Sequence, residues 1–354
     1  MKPVQHVICP FCGKGIMPGS HFCIFCGKDV SDQGELQLAD SFSDPDDTIR
    51  QCDACGAIIT AYARYCSGCG RDLRLPASLF DLTLERHSQI AIDAAKCAGT
   101  MAKIRHNETL TVREKTAHLD YVTDVDTGCE AMIRRTLLDV FPDDQFFGEE
   151  CGVEESEIKR RLENMEPGER IWVVDPLDGT VNYVHGLGLY CVSVALVESG
   201  ETTCGVIYIP ESDELFVAEK GRGAWLNGKP IRVSSCNGLD DALMGYSVPA
   251  VNMDYRDAFI KCYPELSRSV QNVRMLGSCA VGMAYVACGR LDGYIELGHH
   301  PWDIAAGMLI VSEAGGKGTD FAGERLRTTD HQMIVSNGRF HEKLTGIMKG
   351  IQHI

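Results

Sequence analysis

The sequence predicts an α+β fold, with sheets and helices in layers behind two small cysteine-held modules. Three observations carry this expectation. One cysteine layout occurs twice near the N-terminus. The middle of the chain holds a run of strand-like segments separated by turn residues. Beyond it, helical and extended segments alternate without repeating a strand-helix-strand unit, which favours layered sheets over a doubly wound fold.

With 354 residues, 44% hydrophobic and 24% charged, the chain has the make-up of an ordinary globular protein and the length for a compact domain with accessories. Wholesale disorder is excluded. A formal net charge of -16 argues against general affinity for nucleic acid or anionic membrane, which need a positive footprint, and suits a protein that holds cations. The opening "MKPVQHVICPFC" lacks the apolar core of an export signal, and no apolar stretch is long enough to span a bilayer. The expectation is a soluble protein that is not exported.

Of the 17 cysteines, eight are patterned; the other nine, Cys97, Cys129, Cys151, Cys191, Cys204, Cys236, Cys262, Cys279 and Cys288, stand singly among apolar residues, as small core side chains do. An odd total and this scatter fit a reducing cytosol, so the expected location is cytoplasmic. The patterned eight lie in "CPFCGKGIMPGSHFCIFCGKDV" and "CDACGAIITAYARYCSGCGRDL", which share the layout C-x2-C-G-x9-C-x2-C-G, with Ile16 matching Ile59. Each glycine permits the tight turn that turns two thiolates onto one ion. Cys9, Cys12, Cys23 and Cys26 then form one tetrahedral zinc site, and Cys52, Cys55, Cys66 and Cys69 another. A redox Cys-x-x-Cys pair is the alternative, and two knuckles at one spacing, repeated, weigh against it. The segments resemble the short zinc ribbons at the ends of many prokaryotic proteins.

A four-thiolate site has no open position, so these two zinc ions would fold short segments rather than do chemistry. Arg64, Arg71 and Arg74 are offset by Asp53, Asp72 and the acidic run "ADSFSDPDDT", which places a protein partner or self-association ahead of nucleic acid. The run reads as a flexible spacer. The expected domains are ribbon one at 1–30, linker at 31–51, ribbon two at 52–75 and a main domain at 76–354.

In the main domain, "LFDLTLERHSQIAIDAAKCAGTMAKI" spaces Leu79, Leu82, Ile90, Ala94 and Met101 as one face of a long helix. A second helix is expected from about Asp126 through "EAMIRRTLLDVF". Strands are expected at 171–175, 190–198, 203–210 and 215–220. Helical "SCAVGMAYVACG" and "DIAAGMLIVSEAGG" then flank the extended "DGYIEL".

Acids recur beside these apolar segments: Glu149 and Glu150 in "FFGEE", Asp175 and Asp178 in "VVDPLD", Asp303 in "PWDIAAG", and Asp124 and Asp126 in "YVTDVD". Gathered in one place, such carboxylates would repel one another and take up protons unless divalent cations intervened. Oxygen donors without a histidine requirement suit Mg2+. A helix opening at Gly179-Thr180 would add free N–H groups for a phosphate, opposite the metals. Singly, Glu150 and Asp124 read equally well as solvated surface acids, while His299 and His300 fit a polar loop before a helix better than a transition-metal site, and Cys151 an inert small residue better than a redox switch.

Together "WVVDPLDGTVNYVHG", "WDIAAGMLIVSEAGG", "GEE" and "YVTDVD" resemble, in order and content, the inositol monophosphatase family of Mg2+-dependent, lithium-sensitive phosphatases. The resemblance covers about four fifths of the chain and leaves out the ribbons. It implies an α-β-α-β-α sandwich and a homodimer. It also implies that Glu149, Asp175 and the Leu177 carbonyl hold one Mg2+, that Asp175, Asp178 and Asp303 hold a second, and that two or three ions serve each site. Thr180 would sit beside the attacking water and bond Asp126, Glu149 would help take the proton, and Lys115 would lie on a loop near the metals. Direct in-line attack on a phosphate monoester follows.

"GTVNYVHG" is closer to the inositol-phosphatase pattern than to the "GTKEF" of nucleotide bisphosphatases or the "GTRSF" of histidinol phosphatases. The implied pocket comprises Asp178, Gly179, Thr180, Asp303 and Glu296, the last placed to bind substrate hydroxyls, with Asn182, Gly277, Ser278, Cys279 and His300 as walls. The substrate expected is a small phosphorylated polyol or sugar, inositol 1-phosphate first, with fructose 1,6-bisphosphate or a 3'(2'),5'-bisphosphate nucleotide as the alternative. A non-catalytic scaffold is a further alternative, and no metal carboxylate or threonine has been lost to signal it.

Overall fold

The computed structural model describes residues 84–106, 123–247 and 253–349 in full, and the backbone alone of 121–122 and of five short strands outside them. The eight predicted zinc cysteines, the acidic run of the linker and Lys115 lie outside the described residues. The chain divides into two units, Met1–Leu84 and Glu85–Ile354.

In the first unit, β1 (Val7–Ile8) pairs antiparallel with β2 (Gly15–Ile16), and β3 (Ile49–Gln51) with β4 (Ile58–Thr60). The two hairpins share a register: Val7 faces Ile16 as Arg50 faces Ile59, and Ile8 faces Gly15 as Gln51 faces Ile58. Each hairpin spans the first Cys-x-x-Cys-Gly of its repeat, so the internal repeat is repeated in backbone pairing.

The second unit begins with α1 (Arg86–Arg105), the ribbon β5 (Val112–Glu114) with β6 (Tyr121–Thr123), and α2 (Asp124–Leu138). There follow β7 (Gln145–Gly148), α3 (Glu155–Glu163), β8 (Arg170–Asp178) and the short α4 (Thr180–Val184). An antiparallel meander comes next: β9 (Cys191–Glu198), β10 (Glu201–Ile209), β11 (Glu214–Glu219), β12 (Gly223–Leu226) and β13 (Lys229–Pro230). The last part is β14 (Leu243–Tyr246), α5 (Met253–Ser269), β15 (Asn272–Arg274), α6 (Cys279–Ala287), β16 (Gly293–Leu297), α7 (Pro301–Glu313), β17 (Lys317–Thr319), β18 (Gln332–Ser336) and α8 (His341–Met348).

Seven strands form one sheet in the order β13-β12-β11-β10-β9-β8-β7, and five form another in the order β15-β14-β16-β18-β17. Helices α1 and α2 pack together, with α1 against β9 and β10. From the other side α7 packs against β8 to β12, so closely that a Cβ on Gly205 would lie 2.7 Å from the Ala306 carbonyl oxygen. Helices α6 and α7 pack on each other and, through Tyr294, Met333 and Val335, on the five-stranded sheet. The outer face of that sheet, with Tyr246, Ile295 and Ile334, is covered by α5 and α8. The layers are therefore α-β-α-β-α, as the resemblance implied.

The expected helices and strands are present, with shifted ends. The first helix starts at Arg86, not Leu79, after Leu84 and Glu85 in non-helical conformation. The second starts at Asp124 because Thr123 caps it, with Asp126 at its third position. The strand expected to stop at Asp175 continues to Asp178. Helices α3, α5 and α8 and the five-stranded sheet around "DGYIEL" were not marked by periodicity.

Candidate active site

"DPLD" would carry its two acids on opposite faces of a regular strand, because side chains alternate with a period of two. A bulge removes the conflict: Asp175 pairs with Ser193 and Asp178 with Cys191, so two residues of β8 stand opposite one of β9. Pro176, which has no N–H to give, sits in that bulge. Gly179 then turns the chain with φ +99°, and a Cβ there would meet the Leu189 carbonyl oxygen at 2.9 Å. Thus the abrupt turn after the acids needs glycine twice over, for conformation and for space.

Three of the acids, Asp126, Asp178 and Asp303, are held at helix starts. The Asp126 carboxylate accepts from the Thr123 N–H at 2.8 Å and from the Thr123 hydroxyl, closing a capping box at α2. Its other oxygen lies 3.1 Å from the Thr180 hydroxyl, which is also 3.1 Å from the Leu177 carbonyl oxygen. Asp178 sits on the N-terminus of α6, taking the Ser278 hydroxyl at 2.6 Å, the Ala280 N–H at 2.7 Å and the Cys279 N–H at 3.2 Å. Asp303, third residue of α7, accepts the His300 N–H at 2.7 Å. Asp175 accepts the Leu177 N–H at 2.9 Å.

Burial, then the charges of Glu149, Asp178 and Asp303, push the Asp175 carboxyl well above the usual carboxylate range. Asp303 is likewise raised well above it, by burial and by Asp178 and Glu149 against the pull of His300. Asp178 is raised by burial, and its hydrogen bonds counter this only in part. The four acids are neighbours through their charges and not a closed cage: among the described residues, no three Asp, Glu, His or Cys side chains close around one point. Such an open, oxygen-only donor set fits Mg2+, which keeps several waters and shares its ligands with substrate phosphate. The histidines do not add to it. His299 is buried and its pKa is lowered to about 3 by burial, while His300 stacks on Trp302 at 4.8 Å and pairs with Glu155 at 2.9 Å. Burial alone would lower the His300 pKa, but Glu155 and Asp303 raise it to about 9.

The expected pocket walls divide. Glu296 is part-buried and accepts from the Tyr294 hydroxyl at 2.8 Å. Asn182 gives its amide to the carbonyls of Leu189 and Leu276, both at 2.7 Å, and backs onto Gly277, so it ties two loops together. Ser278 and the Cys279 backbone reach the site through Asp178. Asp124 is exposed and paired with Arg105 at 2.7 Å. The Glu150 N–H donates to Glu130 at 2.7 Å, and the Glu130 carboxylate lies where a side chain on Gly148 would be. Glu130 was missed in the sequence, although its place on α2, one turn from buried Asp126 and Ile133, puts it on the inward face. Glu155, which links α3 to the start of α7, carried no signal.

Comparison with known proteins agrees. The inositol monophosphatase family profile matches residues 83–353 and the double zinc ribbon profile residues 9–70. The chain is 34% identical over 261 residues to a fructose-1,6-bisphosphatase/inositol-1-monophosphatase of Thermotoga maritima, covering 74% of this chain and 95% of that protein. It is 42% identical over 236 residues to the Nus factor SuhB of Xylella fastidiosa, covering 66% and 82%. The solved structure of a Thermotoga maritima IMPase superposes with a TM-score of 0.66 at 33% identity, covering 75% of this chain and 98% of that one. The bulged strand, its acids and these matches establish that the chain belongs to the inositol monophosphatase family, as a phosphoric monoester hydrolase with a double zinc ribbon.

Proposed function

We propose that the protein is a Mg2+-dependent inositol-1-monophosphatase. The observation that carries this is the cluster of buried Asp175 and Asp178 with part-buried Asp303 and Glu149, whose repulsion a cation relieves. Glu149, Asp175 and the Leu177 carbonyl would hold one ion and Asp175, Asp178 and Asp303 another, with two or three ions per site. The ions supply Lewis acidity, neutralising charge on the phosphoryl group and on the entering and leaving oxygens. The rest falls to the chain. The Thr180 hydroxyl donates a hydrogen bond to Asp126, 3.1 Å away, which leaves its oxygen free to accept one from the attacking water and orient it. Glu149 takes that water's proton. Gly179 and Thr180 face the phosphate, Lys115 adds a cation, and Glu296 accepts hydrogen bonds from polyol hydroxyls. The phosphorus is attacked in line, without a covalent phosphoenzyme: the new P–O bond forms as the ester P–O bond breaks, and the leaving alkoxide takes a proton from solvent water.

Fructose 1,6-bisphosphate is the second candidate substrate, since the Thermotoga maritima relative is named for both activities. In the same reading the enzyme is a lithium-sensitive, cytoplasmic homodimer. Its ribbons, at 1–30 and 52–75, hold two structural zinc ions and dock a protein partner, separated by a linker at 31–51 from each other and followed by the phosphatase domain at 76–354. Among the described residues, no helix is long and apolar enough to cross a membrane.

The test is phosphate release from myo-inositol 1-phosphate with Mg2+, comparing the protein with Asp178→Asn. Wild-type release that falls on the order of 10^3-fold or more in the variant is expected. A folded wild-type protein that releases nothing sinks the inositol assignment.

A further inference from the structure

We propose that Tyr294 is a specificity-positioning residue: its hydroxyl aims the Glu296 carboxylate at the hydroxyls of a polyol substrate, and so sets selectivity among phosphate esters without governing phosphoryl transfer. This rests on the reading of Glu296 as the acceptor of substrate hydroxyls.

The two residues lie two apart on β16 and so share a face, which looks toward α6, while Ile295 and Leu297 point into the core under α5 and α8. The Tyr294 hydroxyl donates to Glu296 Oε2 at 2.8 Å. Its ring is fully buried, and two neighbours give up their side chains to seat it. A Cβ on Gly245 of β14 would lie 2.4 Å from the ring, and one on Gly282 of α6 would lie 2.5 Å from it. In α6 that glycine costs about 1 kcal/mol of helix propensity against alanine. Phenylalanine would fill the same slot. What tyrosine adds is the hydroxyl, placed where the sheet meets the site.

Glu296 is kept differently from Asp175. Burial and the charge of Asp178 raise its pKa, and the Cys279 thiol, the Tyr294 hydroxyl and Ser247 counter that by hydrogen bonding. An acid that must accept from neutral hydroxyls needs direction as much as charge. With one lone pair taken by Tyr294, the carboxylate can turn less, and its remaining lone pairs point where they are held. Esters that offer neighbouring hydroxyls gain from this, and esters that offer none gain nothing.

The experiment is steady-state kinetics of the full chain with Mg2+ on two esters: myo-inositol 1-phosphate, rich in hydroxyls, and 4-nitrophenyl phosphate, which has none. Wild type, Tyr294→Phe, Glu296→Gln and the double variant are compared. Tyr294→Phe is expected to raise KM for the inositol ester about tenfold, as loss of a hydrogen bond to a charged group does, with kcat within about twofold. Hydrolysis of 4-nitrophenyl phosphate should change by less than about twofold, and the tyrosine change should add little once Glu296 is glutamine. Equal losses on both esters would mean a structural role and overturn the proposal, as would no loss on the inositol ester or full additivity with Glu296→Gln. If Glu296→Gln is itself silent on both esters while wild type is active, the polyol reading of Glu296 fails, and the role of Tyr294 fails with it.

Discussion

Asp175 and Asp178 come from the end of β8 in the seven-stranded sheet, and Glu296 comes from β16 in the five-stranded sheet. Asp175 stands among other acids, and burial with their repulsion drives it well above the carboxylate range, while Asp178 beside it is steadied in part by the Ser278 hydroxyl and two N–H groups. Glu296 stands among hydroxyl and thiol donors, with the charge of Asp178 also bearing on it. Under the proposed function, the difference follows the partner each would meet. Carboxylates meant for a cation can be left in conflict, since the ion removes the conflict on binding; one meant for neutral hydroxyls has to be oriented beforehand. In that reading the seven-stranded half would supply charge, and the five-stranded half selectivity.

Acid offers the largest way to separate the halves. His341, at the start of α8, is buried with Nε2 at 2.8 Å from the Thr319 hydroxyl and Nδ1 at 2.8 Å from the Ser336 hydroxyl, joining β17 and β18. Burial, aided by Lys317, lowers its pKa to about 4 from an ordinary 6.5. The folded form therefore prefers the neutral ring. Its contribution is fully present above the unfolded pKa and is lost as pH falls from about 6.5 toward 4. Between pH 7 and pH 4.5 the loss should be about 2–3 kcal/mol, read by urea unfolding and compared with His341→Gln, which should remove that part of the pH slope. An unchanged slope would show that the five-stranded half has no acid weakness of its own.

A smaller effect comes from Gly282→Ala. The added methyl meets a buried ring that has nowhere to go, against a gain of about 1 kcal/mol in helix propensity. A net loss of about 1–2 kcal/mol is expected, a few degrees in Tm. KM for the inositol ester should rise with the Mg2+ requirement unchanged. If the Mg2+ requirement moves instead, the division of labour between the sheets is wrong.

How much of this was legible follows from what each residue must do. Asp175, Asp178, Thr180 and Asp303 stood out because carboxylates beside apolar strands and helix starts have few bland explanations once four stretches share them. The Thr123-x-x-Asp126 capping box could also be read from spacing. The bulge at Pro176-Leu177 was half-legible: proline inside a strand signals a break in pairing, without saying which face the flanking acids take. Glu130, Glu155 and Tyr294 were hidden because their partners are 20, 145 and two residues away, and even the nearest pair shows only once the strand face is known. Helices α3 and α8 are short, and α5 carries Pro264, so periodicity had little to work on. The five-stranded sheet is built from pieces of three to five residues, too short to tell from loops by alternation.

The finest test lies where the halves meet, at Ser278. Its hydroxyl donates to Asp178 at 2.6 Å and accepts the Val281 N–H at 3.3 Å, so one side chain both positions an acid and caps α6. Alanine removes both functions. Glycine removes the hydroxyl but is nearly as good a cap as serine, within a few tenths of a kcal/mol, where alanine costs about 1 kcal/mol. If the hydroxyl matters through Asp178, both variants should raise the Mg2+ concentration for half-maximal activity by about tenfold or more, as lost outer hydrogen bonds to a metal ligand do. Only Ser278→Ala should also lower Tm appreciably. Should the Mg2+ requirement instead follow Tm across the two variants, Ser278 acts as a cap alone, and Asp178 is held well enough by the Ala280 and Cys279 N–H groups.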